Sequence, residues 1–323
     1  MAVPLSSLIR PRKGPSLAVL ERVAPAPAAD LVAAEIEART GTNDIVLELH
    51  GRGGWIARSA VDRLRRAYTL ESSALTGLLA EVVLRPPDLR HLDATMAALS
   101  SAQRAGIGLR ESIEAGFTTT CPDCGNPARV EEYVWEADGE VPARRLIRCP
   151  HCRTPRSDLR AVPLAEEDRA RARAALESPA RETLLGRFPT LAPDHPLPGE
   201  LLGLFTPRAL DAIAAILERI EGDLRAPSIQ AVLRLALVHV LLPASRLNAA
   251  QGRAGTLRVQ GGHLRVPAAR QFRERDPWVL FEEGFRSVRA FVQQLEATPG
   301  GLHHARYGRD LGALLDEIGR AHV

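Results

Sequence analysis

Two copies of one short pattern constrain this chain more than any other feature. Cys121-Pro-Asp-Cys124 and Cys149-Pro-His-Cys152 hold all of its cysteines. Two residues between cysteines let a tight turn point both thiolates at one ion, and two such turns complete the tetrahedral all-sulfur shell of structural zinc. Disulfides do not suit a chain without an export signal. Two thioredoxin-like redox pairs are the alternative, but each Cys-x-x-Cys would then open a helix, and neither Pro-Asp before Gly125 nor Pro-His fits that role. His151 stays outside a shell that four thiolates close. A closed shell leaves no place for a catalytic water, so the expected zinc is structural or serves nucleic-acid binding. The expectation is a zinc ribbon over residues 117–160, ligated by Cys121, Cys124, Cys149 and Cys152, around the β-prone segment Val130-Glu-Glu-Tyr-Val-Trp135.

The 323 residues, 45% hydrophobic and 25% charged, suffice for two or three packed units with real cores. A formal net charge of +3 excludes purely electrostatic nucleic-acid binding of the histone-tail kind. Lys13 is the only lysine. The arginine bias reads as GC-rich codon usage; phosphate and guanine recognition through the guanidinium fork is the other reading. The first residues show no apolar signal-peptide region. Leu233 to Pro243, the longest apolar stretch, contains Arg234 and His239 and is too short to span a bilayer. The expected protein makes no membrane contact and is cytoplasmic.

Residues 1–29 read as a proline-rich, irregular lead-in. From Asp30 the pattern turns helical, with Leu31, Val32 and Ile36 on the apolar positions and a stop at Gly41-Thr42-Asn43. A buried strand, Asp44 to Glu48, leads through Gly51-Arg-Gly-Gly54 into a helix over Trp55 to Arg66, with Ile56, Ala60 and Leu64 on one face. A second strand, Ala67 to Leu70, ends at Glu71. A helix over Ala74 to Leu84 follows, stopped by Pro86-Pro87. This alternation predicts an α/β nucleotide-fold half over residues 30–116. Beyond the cysteines, Leu164 to Arg187 reads as a solvated helix and Phe188 to Pro198 as a linker. Three helices are then expected: one capped by Thr206 with Pro207 at its first position, one opening at Ser228, and one over Trp278 to Leu295. They make residues 161–316 a helical region.

Gly51, Gly53 and Gly54 lie between a strand and a helix, where a missing Cβ lets backbone approach a cofactor or lets the helix pack on the strand. Position 56 is isoleucine, so the dinucleotide fingerprint is incomplete. Glu71, at the end of the next strand, is placed to accept the ribose hydroxyls of an adenosine cofactor. S-adenosylmethionine carries an adenosine and no pyrophosphate. Tight packing and a solvated loop acid are the plain readings of the same residues. Asp93 could meet the adenine amine or simply cap the following helix.

With these residues in place, the chain resembles class I S-adenosylmethionine-dependent DNA methylases that carry an inserted zinc ribbon, often described as adenine-specific. Asp44-Ile-Val-Leu-Glu-Leu-His-Gly-Arg-Gly-Gly54 looks like the first cofactor motif, with Glu48 as its acid, and Glu71-Ser-Ser-Ala-Leu-Thr-Gly like the second. Leu204-Phe-Thr-Pro-Arg-Ala-Leu210, Ala244-Ser-Arg-Leu-Asn248 and Asp276-Pro-Trp278 follow in the family's order. The resemblance covers roughly residues 30–300. It implies a Rossmann-like methyltransferase half, S-adenosylmethionine as cofactor, and DNA, or else RNA, as partner.

The family's amino-methylating members use Asp/Asn/Ser-Pro-Pro-aromatic to hold the target amine and stack the flipped base, and this chain has no such motif. Arg85-Pro-Pro-Asp88 lacks both flanking residues. In the family's order the motif would follow residue 316. Glu317-Ile-Gly-Arg-Ala-His-Val323 is what GAGATCGGAAGAGCACACGTC encodes, the start of a common sequencing adapter, so residues 317–323 are expected to be non-native. An ordinary frayed helix end is the alternative. The expected function is the cofactor-binding fragment of a DNA methyltransferase, inactive by itself. A non-catalytic zinc-ribbon nucleic-acid-binding protein and an RNA methyltransferase stand as alternatives.

Overall fold

A computed structural model describes residues 15–21, 23–152, 159–188, 195–251, 257–265, 269–295, 305–308, 310, 312–313 and 315. In chain order the first part runs α1 (Ala29–Arg39), β1 (Ile45–Glu48), α2 (Trp55–Val61), β2 (Arg66–Leu70), α3 (Ala74–Leu84), α4 (Leu89–Ser101), β3 (Gln103–Arg104), β4 (Ile107–Gly108) and α5 (Leu109–Glu114). Next come β5 (Thr118–Thr120), β6 (Pro127–Glu136), β7 (Arg144–Arg148), β8 (Arg160–Val162), α6 (Glu166–Ala174), α7 (Ala180–Leu185), α8 (Leu197–Leu202) and α9 (Pro207–Gly222). The last part comprises α10 (Pro227–Leu241), β9 (Arg258–Gln260), β10 (His263–Arg265), β11 (Gln271–Arg275), α11 (Pro277–Gln293) and β12 (Ala305–Gly308). The chain is a mixed α/β protein with small sheets, and it divides into two compact units. Among the described residues no helix is long and apolar enough to cross a membrane.

Unit 1 comprises the described residues up to Ala94, Arg225–Leu235, and those from Phe285 onward. Its sheet has the order β1-β2-β12, with β2 parallel to both neighbours and Glu48 opposite Thr69. Parallel neighbours need crossover helices that cover the sheet. Accordingly Ile36 of α1, Ala57, Ala60 and Val61 of α2, Ala67 of β2 and Leu84 of α3 form one core. Ser73 caps α3 by accepting from the Leu75 N–H. Leu31, counted among the apolar positions of α1, points outward while Val32 and Ile36 pack. In the lead-in a short turn over Ala18–Leu20 buries Leu17, Leu20 and Ala24, so apolar side chains among the prolines pin part of it down.

The helix expected through Arg66 stops at Val61. The Leu64 N–H donates to the Val61 carbonyl and the Arg65 N–H to the Ala60 carbonyl, with Leu64 left-handed at φ 62°. These are the two bonds of a Schellman cap, here without its usual glycine. The turn delivers the chain directly into β2, and Leu64, counted as a core residue from its spacing, is exposed.

Unit 2 comprises Thr95–Leu224 and Ala236–Gly284. Its antiparallel sheet has the order β11-β6-β7-β8. On one edge β6 pairs β5 at Pro127–Arg129 and β11 at Glu132–Glu136, and on the other it pairs β7. Phe117, Val130, Tyr133, Trp135, Ile147 and Phe272 form the core beneath. Trp135 and Phe272 stack at 5.9 Å with a 10° interplanar angle.

The stretch from Leu164 to Arg187 is not one solvated helix. It breaks into α6 and α7 around Pro179 and buries Asp168, Ala172, Ala180 and Leu184. Helix α9 starts as expected, with Thr206 accepting from the Ala209 N–H and Pro207 behind it. Asp276-Pro-Trp278 is likewise a helix start, because the Asp276 carboxylate accepts from the Trp278 N–H. Most of the expected linker over Phe188 to Pro198, and the whole tail over residues 317–323, lie outside the described residues.

Candidate cofactor site and candidate metal centre

In unit 1 the Gly51 N–H donates to the Leu70 carbonyl at 2.9 Å, drawing the turn after β1 over the end of β2. A Cβ on Gly51 would stand 2.4 Å from Thr69 Oγ1 and 2.5 Å from Glu71 Oε1, so no larger residue fits there. Gly53 and Gly54 have φ of 95° and 75° and press on Leu79 and Ala80 of α3. Their N–H groups donate to Glu71 Oε1 at 2.9 and 3.0 Å. Glu71, fully buried, thus points into the glycine turn. One of its oxygens holds the turn together and the other, Oε2, has no hydrogen-bond partner among the described residues. Glu48 Oε2 and Thr69 Oγ1 are buried beside it, and the Thr69 hydroxyl lies against the Glu48 carboxyl. Glu48, Thr69 and Glu71 share one face, since Glu48 is in register with Thr69 and residues two apart on a strand point to the same side.

Burial outweighs the Thr69 hydroxyl beside it and, with the neighbouring Glu71 charge, pushes Glu48 up from an ordinary 4.5 to about 7. The folded protein therefore keeps a proton that the unfolded chain releases, and the stability this gives is lost as pH rises through about 7. Urea midpoints at about pH 5 and pH 8 are expected to fall for the wild type and to change less for Glu48→Gln. Parallel curves for the two proteins would contradict the buried acid.

The remaining cofactor candidate is engaged elsewhere. Asp93, inside α4, accepts from Arg289 Nε and Nη2 at 2.7 and 2.8 Å, and the Arg289 guanidinium holds its carboxyl below the usual carboxylate range. The capping role falls instead to Asp88, whose carboxylate accepts from the Arg90 and His91 N–H groups.

In unit 2 the four cysteines converge. Their sulfurs all lie within 4.8 Å of one another, with Cys121–Cys152 at 3.6 Å and Cys124–Cys149 at 3.5 Å. Zinc–sulfur bonds of about 2.3 Å in a tetrahedron put neighbouring sulfurs about 3.8 Å apart, so the cluster could hold a zinc ion. The first pair sits on the turn between β5 and β6, closed by Gly125 N–H to the Cys121 carbonyl and Cys121 N–H to the Asn126 carbonyl. The second pair follows β7. Two close approaches run between the two Cys-x-x-Cys segments, and the first segment leads into β6 rather than opening a helix, unlike a redox pair. Burial pushes the Cys121 thiol up, but the Asp123 and Cys124 N–H groups more than reverse this, to about 6. Cys152, hydrogen-bonded by the Cys124 and Cys121 sulfurs, is driven up to about 12. A cation between them would offset the mutual repulsion of four thiolates in this space.

Two buried carboxylates that sequence reasoning missed, Asp168 and Glu274, and the exposed Glu167 build the frame around the cysteines. Asp168 accepts from Tyr133 Oη at 2.9 Å, from the Thr119 hydroxyl and from Arg145, while Glu167 accepts from the Thr120 N–H at 2.7 Å. Both anchor β5 immediately before Cys121. Glu274 accepts from Trp135 Nε1 at 2.7 Å, the Thr206 hydroxyl at 2.6 Å and Arg208 Nη2 at 2.6 Å. The Arg208 guanidinium lies over the Tyr133 ring at 4.3 Å and the Phe117 ring at 4.7 Å. Phe205-Thr-Pro-Arg208 is therefore a joint between α9 and the sheet. Ala244-Ser-Arg-Leu-Asn248 is a second joint, with Asn248 Nδ2 donating to the Pro243 and Arg273 carbonyls. Comparison with known protein families, with curated proteins and with solved structures finds no match to this chain.

Proposed function

We propose that this chain is the S-adenosylmethionine-binding portion of a DNA methyltransferase, of the amino-methylating type, built as a Rossmann-like half joined to a structural zinc ribbon and a helical region. The observation that carries this reading is the buried, unpartnered Glu71 Oε2, on one face with Glu48 and Thr69 beside a glycine turn at the ends of two parallel strands. Buried acceptors without donors are costly, and ribose hydroxyls are donors of the right kind. Residues Gly51, Gly53 and Gly54 would bring backbone close to the cofactor, and Glu71 would hold the ribose through the oxygen that the turn leaves free. S-adenosylmethionine supplies the methyl group when bound. A base-holding Asp/Asn/Ser-Pro-Pro-aromatic motif is absent from the sequence, so the transfer step is not assigned to residues of this chain. The four-thiolate cluster fits zinc in a structural role, because it leaves no open coordination position.

Titration calorimetry with S-adenosylhomocysteine tests the reading. Wild type is expected to bind, and Glu71→Ala to bind at least tenfold more weakly. Glu71→Gln retains an oxygen for the Gly53 and Gly54 N–H groups, so it separates loss of the ligand contact from collapse of the turn. Equal binding by all three proteins would remove Glu71 from the site, and no binding by wild type would remove the cofactor.

A second reading rests on the packing of the same turn. Gly53 and Gly54 are explained by Leu79 and Ala80 alone, which leaves unit 1 as scaffold for a non-catalytic nucleic-acid-binding protein. Salt-dependent DNA or RNA binding that S-adenosylmethionine does not alter would favour it.

A further inference from the structure

Strand β8 brings a cation to the cysteine cluster. Arg160 opens this strand and is in register with Ile147 of β7, the strand that leads to Cys149. From there its guanidinium reaches the other Cys-x-x-Cys segment. Nη2 donates to Cys121 Sγ at 3.7 Å, while Nη1 is held by the carboxylate of Asp123, which lies between Cys121 and Cys124 in the turn. A planar fork gripped at one nitrogen has its other nitrogen fixed in direction, so Asp123 aims Arg160 at the sulfur. The ion pair with Asp123 is itself exposed to solvent and adds little stability. The cysteines are not equivalent. Buried Cys121 takes the Asp123 and Cys124 backbone N–H groups as well as Arg160, whereas exposed Cys124 takes the backbone N–H of Asn126.

We propose that Arg160 is a positioning residue of the metal centre, which fixes the Cys121 sulfur and offsets the excess negative charge that four thiolates keep around one divalent ion. Such a role rests on the zinc reading and adds to it a side chain outside the four ligands. A hydrogen bond from a cation lowers the energy of the sulfur lone pairs and favours the thiolate, the form that binds metal. With Arg160 in place the centre holds zinc more tightly than its four cysteines would by themselves.

Competition between the full chain and a chelator for zinc, read beside the absorption spectrum of the cobalt-substituted protein, tests this. Arg160→Gln is expected to bind zinc at least tenfold more weakly than wild type. Its sulfur-to-cobalt charge-transfer band is expected at longer wavelength, because the sulfur electrons lose the nearby positive charge. Arg160→Lys keeps a charge without the fork, so it is expected to recover part of both. A smaller loss of affinity in Arg160→Gln would overturn the role. So would a band that stays in place, since a purely structural effect on the turn would leave the sulfur electrons unchanged. A wild type that binds no zinc would instead overturn the zinc reading itself, and the role with it.

Discussion

On the proposed zinc reading, chelating the metal, or replacing Cys124 with serine, is expected to abolish the tertiary structure of the antiparallel sheet. Cys121 and Cys124 close one end of the β5–β6 hairpin, and Cys149 and Cys152 follow β7, so the ion would tie two turns of the same sheet together. Structural zinc in small domains contributes roughly 10 kcal/mol or more of apparent binding free energy, against a total domain stability of about 5–15 kcal/mol. Cys124 is exposed, so serine there costs little through packing and any large effect reports the lost ligand. The readout is built in: Trp135 stacks on Phe272 and donates to Glu274, and its near-UV circular dichroism should collapse on chelation while one zinc ion per chain is released. A metal-free protein that keeps this signal, or a Cys124→Ser variant that melts with the wild type, would remove the metal from the fold.

Arg208→Met is expected to destabilise unit 2 by about 3–5 kcal/mol, because it strands the fully buried Glu274 carboxylate without its counter-charge. Adding Glu274→Gln should recover much of that loss. Glutamine still offers an oxygen to Trp135 Nε1 and the Thr206 hydroxyl, and it removes the uncompensated charge; the double variant is expected to lie within about 1–2 kcal/mol of wild type. The two residues are thus predicted to couple strongly in a double-mutant cycle followed by urea denaturation. A cost below about 1 kcal/mol for Arg208→Met would mean that ring stacking and solvent supply what the ion pair was credited with.

Local rules account for the parts of this structure that were legible in the sequence. Both strands flanking the glycine turn, the helix over Ala74–Leu84 and the Thr206-Pro207 start of α9 follow from apolar period and capping residues within a few positions. Cysteine spacing likewise located the cluster. What escaped were features settled by distant partners. Trp135 and Glu274 lie 139 residues apart, and nothing near Asp168 in a run of Glu and Arg announces that Tyr133 and Arg145 will bury it. At Leu64 the need to enter β2 overrode helical period. The partner of Asp93, Arg289, is 196 residues away and has no local signal. Glu71 was placed correctly at the end of β2, but its inward turn toward the Gly53 and Gly54 N–H groups depends on backbone conformation that composition does not encode.

The shared edge of β6 has a consequence for synthesis. Strand β5 and the cysteine turn precede β6 by a few residues, and β7 follows closely, so those pairings close short loops and form early. Strand β11 must find the same edge from 135 residues away, the separation of Glu136 and Gln271. At translation speeds of about 5–20 residues per second, the edge waits on the order of ten seconds before its partner exists. Throughout that interval the backbone N–H and C=O groups of Glu132 to Glu136 are open to any other strand, so the newborn chain is most vulnerable to pairing with a neighbour on the same message.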